Sequence, residues 1–126
     1  MIDVIKTINH EKTSSPGLFQ DQLDALFIPV VNIDAVNYIG SRWGKPDWNQ
    51  AKMHRKNMNL THGCGKYKGG IDLNRNYGFM FNANHNDQGS SHKPCSQQYR
   101  GPHAWSEPET RAMKSFIESH PEIKSA

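Results

Sequence analysis

From about Asn37 to Trp105 the chain shows almost no helical or alternating apolar periodicity, and this limits what it can fold into. With 126 residues it is the size of one domain and long enough to bury a core. Compact independent domains do not carry structureless stretches of that length. The apolar supply agrees: hydrophobic residues, counted with Tyr and without Gly, make up 35%, where an ordinary domain has roughly 45–50% on a slightly different count. Mean hydropathy is −0.81. The middle of the chain therefore reads as loops laid over a scaffold that lies mostly elsewhere.

Regular elements are expected towards the ends. Met1, Ile2, Val4, Ile5 and Ile8 follow helical spacing, so Met1 to Asn9 reads as the tail of an amphipathic helix. Ser15-Pro16 opens a second short helix through Leu26, with Leu18, Phe19, Leu23 and Leu26 as its buried stripe. Leu26 to Val31 is a near-continuous apolar run, the pattern of a strand covered on both faces. Ser106 with Glu109 forms a capping box ahead of Met113, Phe116 and Ile117, which predicts a helix from about Glu107 to Ser119 that stops at His120-Pro121.

The chemistry concentrates in Gly70-Ile71-Asp72-Leu73-Asn74-Arg75-Asn76-Tyr77, where an amide and a guanidinium stand side by side in a Gly-flanked loop. Arg75 offers a planar fork of donors that matches two carboxylate oxygens, and Asn74 can add an amide N–H. The octapeptide alone also fits an Asp/Asn-rich turn with one solvated arginine. Three further blocks flank it: Ile28-Pro29-Val30-Val31-Asn32-Ile33-Asp34-Ala35-Val36-Asn37-Tyr38, then Arg55-Lys56-Asn57-Met58-Asn59, and downstream Pro94-Cys95-Ser96-Gln97-Gln98-Tyr99-Arg100-Gly101-Pro102 leading into Ser106-Glu107-Pro108-Glu109-Thr110. In order and spacing these blocks resemble the zinc metallocarboxypeptidases of the carboxypeptidase A/B type, over roughly residues 26 to 120.

The resemblance implies an α/β class, part of a three-layer α/β/α fold with a mixed sheet flanked by helices, incomplete and loop-rich in this chain. It implies peptidase chemistry on the C-terminus of a peptide or protein. Arg55 matches the arginine that stabilises the oxyanion, and Asn74 and Arg75 match the pair that holds the substrate's terminal carboxylate. Such roles make physical sense, because an exopeptidase must recognise a free carboxylate and must place positive charge where the oxyanion develops.

The departures concern the metal. A catalytic zinc site needs three protein ligands and an open water position, and the family supplies a His-x-x-Glu pair upstream and a histidine downstream. None of His10, His54, His62, His85, His92, His103 and His120 has a glutamate three residues after it. The expectation is that residues 1–126 form the central portion of a carboxypeptidase domain, with zinc in the complete parent domain, no metal ligand here, and no zinc or turnover in this chain alone. Its partner would then be the remainder of the domain. An alternative is a catalytically inactive carboxypeptidase-like binding or structural module in a larger assembly. Ile33 and Ala35 stand where the family usually has Pro and Gly, and the family's specificity residue falls beyond Ala126.

Two cysteines, Cys64 and Cys95, flank the clamp loop; by themselves they are either free thiols or a bridge. The resemblance implies a disulfide, which would stabilise the fold by about 3–4 kcal/mol and places the protein in a secreted or lumenal compartment. Asn59-Leu60-Thr61 is an N-glycosylation sequon, with Asn59 the acceptor. Lys66-Tyr67-Lys68 is a short basic patch beside the clamp, and Trp43, Trp48 and Trp105 are expected to pack loops onto the body. A net charge of +3 without clustering on a helix or interleaved aromatics argues against nucleic acid. No signal peptide or membrane span is read in the chain.

Overall fold

The computed structural model describes residues 26–83 and 89–123. The two helices expected over Met1 to Asn9 and Ser15 to Leu26 fall on residues 1–25, outside the described residues. The chain divides into two compact units, Met1–Val30 and Val31–Ala126. In the first, residues 26–30 run as irregular chain rather than the expected strand, with Leu26, Phe27 and Val30 exposed. A strand exists only by pairing, and among the described residues the ladder contact is an isolated parallel bridge between Ser91 and Tyr99.

The second unit carries four helices among its described residues: α1 (Ile33–Ser41), α2 (Trp48–Ala51), α3 (Gly65–Lys68) and α4 (Pro108–Glu118). A single 3-10 turn, Leu73–Arg75, lies between α3 and α4. α1 was not foreseen, and it runs into the aperiodic stretch that begins near Asn37. It starts because the Asn32 side chain accepts the Ala35 N–H at 3.0 Å, and Asp34 favours the positive end of its dipole. It escapes periodicity because Ala35 is its one buried residue, with Ile33 and Val36 exposed.

The helix expected over Glu107 to Ser119 is present as α4, but its capping box is not formed. Glu107, not Ser106, is the N-cap residue, with Pro108 opening the helix. Ser106 is diverted, since its hydroxyl donates to Glu107 Oε1 and accepts from Asn76 Nδ2, both at 2.8 Å. Trp43 also departs from expectation: it is 74% exposed and rests edge-on against Trp48. Trp105 does pack, against Tyr77, and holds a left-handed backbone (φ 59°) secured by its N–H on the Asn76 carbonyl at 2.7 Å.

What holds this unit together is mostly polar. Buried hydrophobic residues are Ala35, Ala51, Ile71, Leu73 and Tyr99, whereas Lys56, Asn57, Asp72, Asn76, Ser91, Glu107 and Thr110 are buried polar ones. Asn76 is fully buried: its Nδ2 donates to Arg100 O, His103 O and Ser106 Oγ, and its Oδ1 accepts from Glu107 N and Thr110 Oγ1. Such a network is stable because every member has a partner. Gly70 is required where the chain folds back (φ +84°), since a Cβ there would collide with the Asn57 carbonyl.

Candidate functional site

Side chains of Ile71, Leu73 and Asn76 point into this interior, which leaves Asn74 exposed and Arg75 half-exposed on the turn between them. Asp72 caps the turn, its side chain accepting the Asn74 N–H at 3.3 Å and its carbonyl the Arg75 N–H at 2.9 Å. The Asp72 N–H donates to Tyr99 O at 2.8 Å, tying the turn to the chain beyond Cys95.

Arg55, Lys56 and Asn57 send three consecutive side chains to three places. Arg55 forms an ion pair with Asp72, Nη2 to Oδ2 at 2.7 Å, and Arg75 Nε lies 3.7 Å from the same oxygen. Lys56 is 1% exposed, and its ammonium donates to the carbonyls of Lys68, Pro94 and Ser96 at 2.7, 3.1 and 2.8 Å. Burial pulls its pKa down to about 8, with Asp72 pulling it back up, so at neutral pH it keeps the three protons that its acceptors use. Asn57 donates to Glu107 Oε2 at 2.7 Å and accepts the Ile71 N–H at 2.8 Å, which fixes the loop of residues 70–77 against the start of α4.

Two grooves meet at the turn. One, of about 490 Å³, is lined by Arg55, Asp72, Leu73, Asn74 and Tyr77 with Asn32 and Met53. The other, of about 170 Å³, is lined by Asn74, Arg75 and Tyr77 with Phe79, Met80 and Phe81. Asn74 and Tyr77 border both, so the three residues singled out from the sequence are brought together. Asp72, Lys56 and Glu107 were missed as organisers of the site. Each stands inside a quoted block, but only its contacts reveal its part.

Cys64 and Cys95 form a disulfide. Lys56 reaches the same loop, for its acceptors include Pro94 and Ser96 on either side of Cys95 and Lys68 at the end of α3. On the sequon, Thr61 Oγ1 donates to Asn59 Oδ1 at 2.6 Å while Asn59 Nδ2 donates to the buried Glu107 Oε2 at 2.9 Å. Attaching a glycan to Asn59 in the folded chain would compete with that second bond.

His54, beside Arg55, stacks edge-on to Tyr38 at 5.0 Å. Burial lowers its pKa below 6.5, partly opposed by hydrogen bonding with the backbone of Asn57 and Lys56 and reinforced by the charge of Lys56. A base whose folded pKa is depressed takes up its proton preferentially in the unfolded chain. Stability from His54 is therefore complete above pH 6.5 and declines as pH falls from 6.5 towards the folded pKa. Urea midpoints at pH 7.5 and 5.5 should show this loss, and His54→Gln should reduce it; an unchanged slope in the variant would assign the effect to other groups.

Among the described residues no group of three or more His, Cys, Asp or Glu is placed to hold a metal ion. No helix among them is long and apolar enough to cross a membrane.

Residues 6–125 match the zinc carboxypeptidase family. The chain is 38% identical to carboxypeptidase B of Bos taurus over 102 residues, 81% of this chain and 21% of that protein. It is 37% identical to mast cell carboxypeptidase A of Mus musculus over 100 residues, 79% of this chain and 21% of that protein. Against carboxypeptidase B of Rattus norvegicus the identity is 35% over 118 residues, 94% of this chain and 25% of the relative. The chain belongs to the zinc carboxypeptidase family, whose fold is α/β. It spans about a fifth to a quarter of the length of these relatives.

Proposed function

We propose that this chain carries the substrate-carboxylate clamp and the oxyanion arginine of a zinc carboxypeptidase that releases the C-terminal residue of peptides or proteins. The observation that carries this reading is the gathering of Arg55, Asn74 and Arg75 around the buried Asp72, at the junction of two grooves. Arg75 and the Asn74 amide hold the terminal carboxylate by charge-assisted hydrogen bonds. Arg55 stands one groove further on and meets the charge that grows on the carbonyl oxygen under attack. In the complete α/β/α domain zinc would activate the attacking water. Arg55, Asn74 and Arg75 are cationic or amide groups rather than zinc ligands, so the chemistry assigned to them is binding, orientation and charge stabilisation. The disulfide fits folding in an oxidising compartment, hence a secreted or lumenal protein.

The test is a pair of ligands differing only in the terminal group. N-acetyl-phenylalanine should bind the protein at least about tenfold tighter than N-acetyl-phenylalaninamide, followed by NMR shifts of the arginine Nε–H groups, because the amide lacks the charge that the guanidinium recognises. Equal binding would overturn the clamp. A clear preference with no hydrolysis by the zinc-loaded complete domain would favour a carboxypeptidase-like binding module instead.

A further inference from the structure

One carboxylate touches every part of the clamp. Asp72 Oδ2 is 2.7 Å from Arg55 Nη2 and 3.7 Å from Arg75 Nε, and Oδ1 accepts the Asn74 N–H. The Asp72 side chain is 2% exposed, while those of Arg55 and Arg75 are 45% and 38% exposed. Both arginines therefore turn one edge to a buried anion and keep other N–H groups accessible. Asp72 Oδ2 and Arg75 Nε are buried and form no aligned hydrogen bond, so charge rather than directed bonding links them. Lys56 lies behind, buried, donating to three neutral carbonyls while its charge is also felt by Asp72. Where the two guanidiniums meet the single carboxylate, one positive charge is left over.

We infer that Asp72 is a positioning residue that sets the charge the site accepts: it holds Arg55 and Arg75 in place and limits the clamp to one singly charged carboxylate. The inference rests on the clamp reading and deepens it. Neutralising Asp72 leaves Arg55 and Arg75 without their shared anion, with Lys56 still charged behind them, and a site of higher charge gains more from a dianion than from a monoanion. Neutralising Arg55 does the reverse.

Acetate and sulfate are the probes, titrated against the protein, Asp72→Asn and Arg55→Gln, with arginine Nε–H shifts as the readout. Asp72→Asn should raise the sulfate-to-acetate affinity ratio by about tenfold, and Arg55→Gln should lower it by a similar factor. A purely structural role for Asp72 would weaken both anions alike and leave the ratio unmoved. An Asp72→Asn ratio within about twofold of the parent, in a folded variant, overturns the inference. If Asp72→Asn does not fold, Arg55→Gln decides: a ratio that fails to fall overturns it. The acid-versus-amide comparison is independent, so a failed clamp and a failed charge rule give different results.

Discussion

Alanine at Arg55 should lower kcat of the complete carboxypeptidase domain by about 10²–10³-fold with KM little changed. Alanine at Arg75 should do the opposite, raising KM by an amount worth about 2–4 kcal/mol while kcat is largely retained. The split follows from when each charge is met. In the proposed roles, Arg75 would bind a carboxylate that is present in ground and transition states alike, whereas Arg55 would meet an oxyanion that exists only during attack. Because Arg55 pairs with Asp72 at 2.7 Å, its loss also relaxes Arg75 somewhat. A rise in KM much larger than the fall in kcat for Arg55→Ala would show that positioning, not charge stabilisation, is its main part. An amide-blocked substrate should add little to Arg75→Ala, since both delete one contact.

Replacement of Lys56 by Met should destabilise the protein by about 3–5 kcal/mol, comparable to breaking a buried charged interaction from one side. Methionine matches the length of the stem and supplies no donor, so the carbonyls of Lys68, Pro94 and Ser96 lose their shared partner out of reach of a replacement side chain. Reduction of Cys64–Cys95, which closes a loop of sequence separation 31, should cost about 3–4 kcal/mol. The ammonium and the disulfide restrain one loop, so their losses should not simply add. Urea denaturation of the protein and the variant, each oxidised and reduced, forms the cycle that measures this coupling. A cost below about 1 kcal/mol for Lys56→Met would mean that water reaches those carbonyls.

Much of the candidate site was legible because its residues sit next to one another in the chain: Asn74 and Arg75 share one turn, and the blocks around them keep a recognisable order. α4 was legible for a similar reason, as the spacing of Met113, Phe116 and Ile117 behind Ser106 and Glu109 is a local signal. The start of α4 was misplaced by one residue because Ser106 is claimed by Asn76, thirty positions earlier. The apolar run at Leu26 to Val31 promised a strand that the described residues do not pair. Asp72, Lys56 and Glu107 stayed hidden because a partner fifty residues away, as Asn57 is from Glu107, leaves no period to read.

The polar interior bears on how stability varies with temperature. Heat capacity rises when apolar surface is exposed on unfolding and falls when polar surface is exposed. A unit that buries Asn57, Asn76, Asp72, Glu107 and Thr110 beside a few apolar side chains sets these contributions against each other. Its heat-capacity increment per residue is therefore small, and its free-energy curve is a shallow arc whose enthalpy of unfolding changes little on cooling.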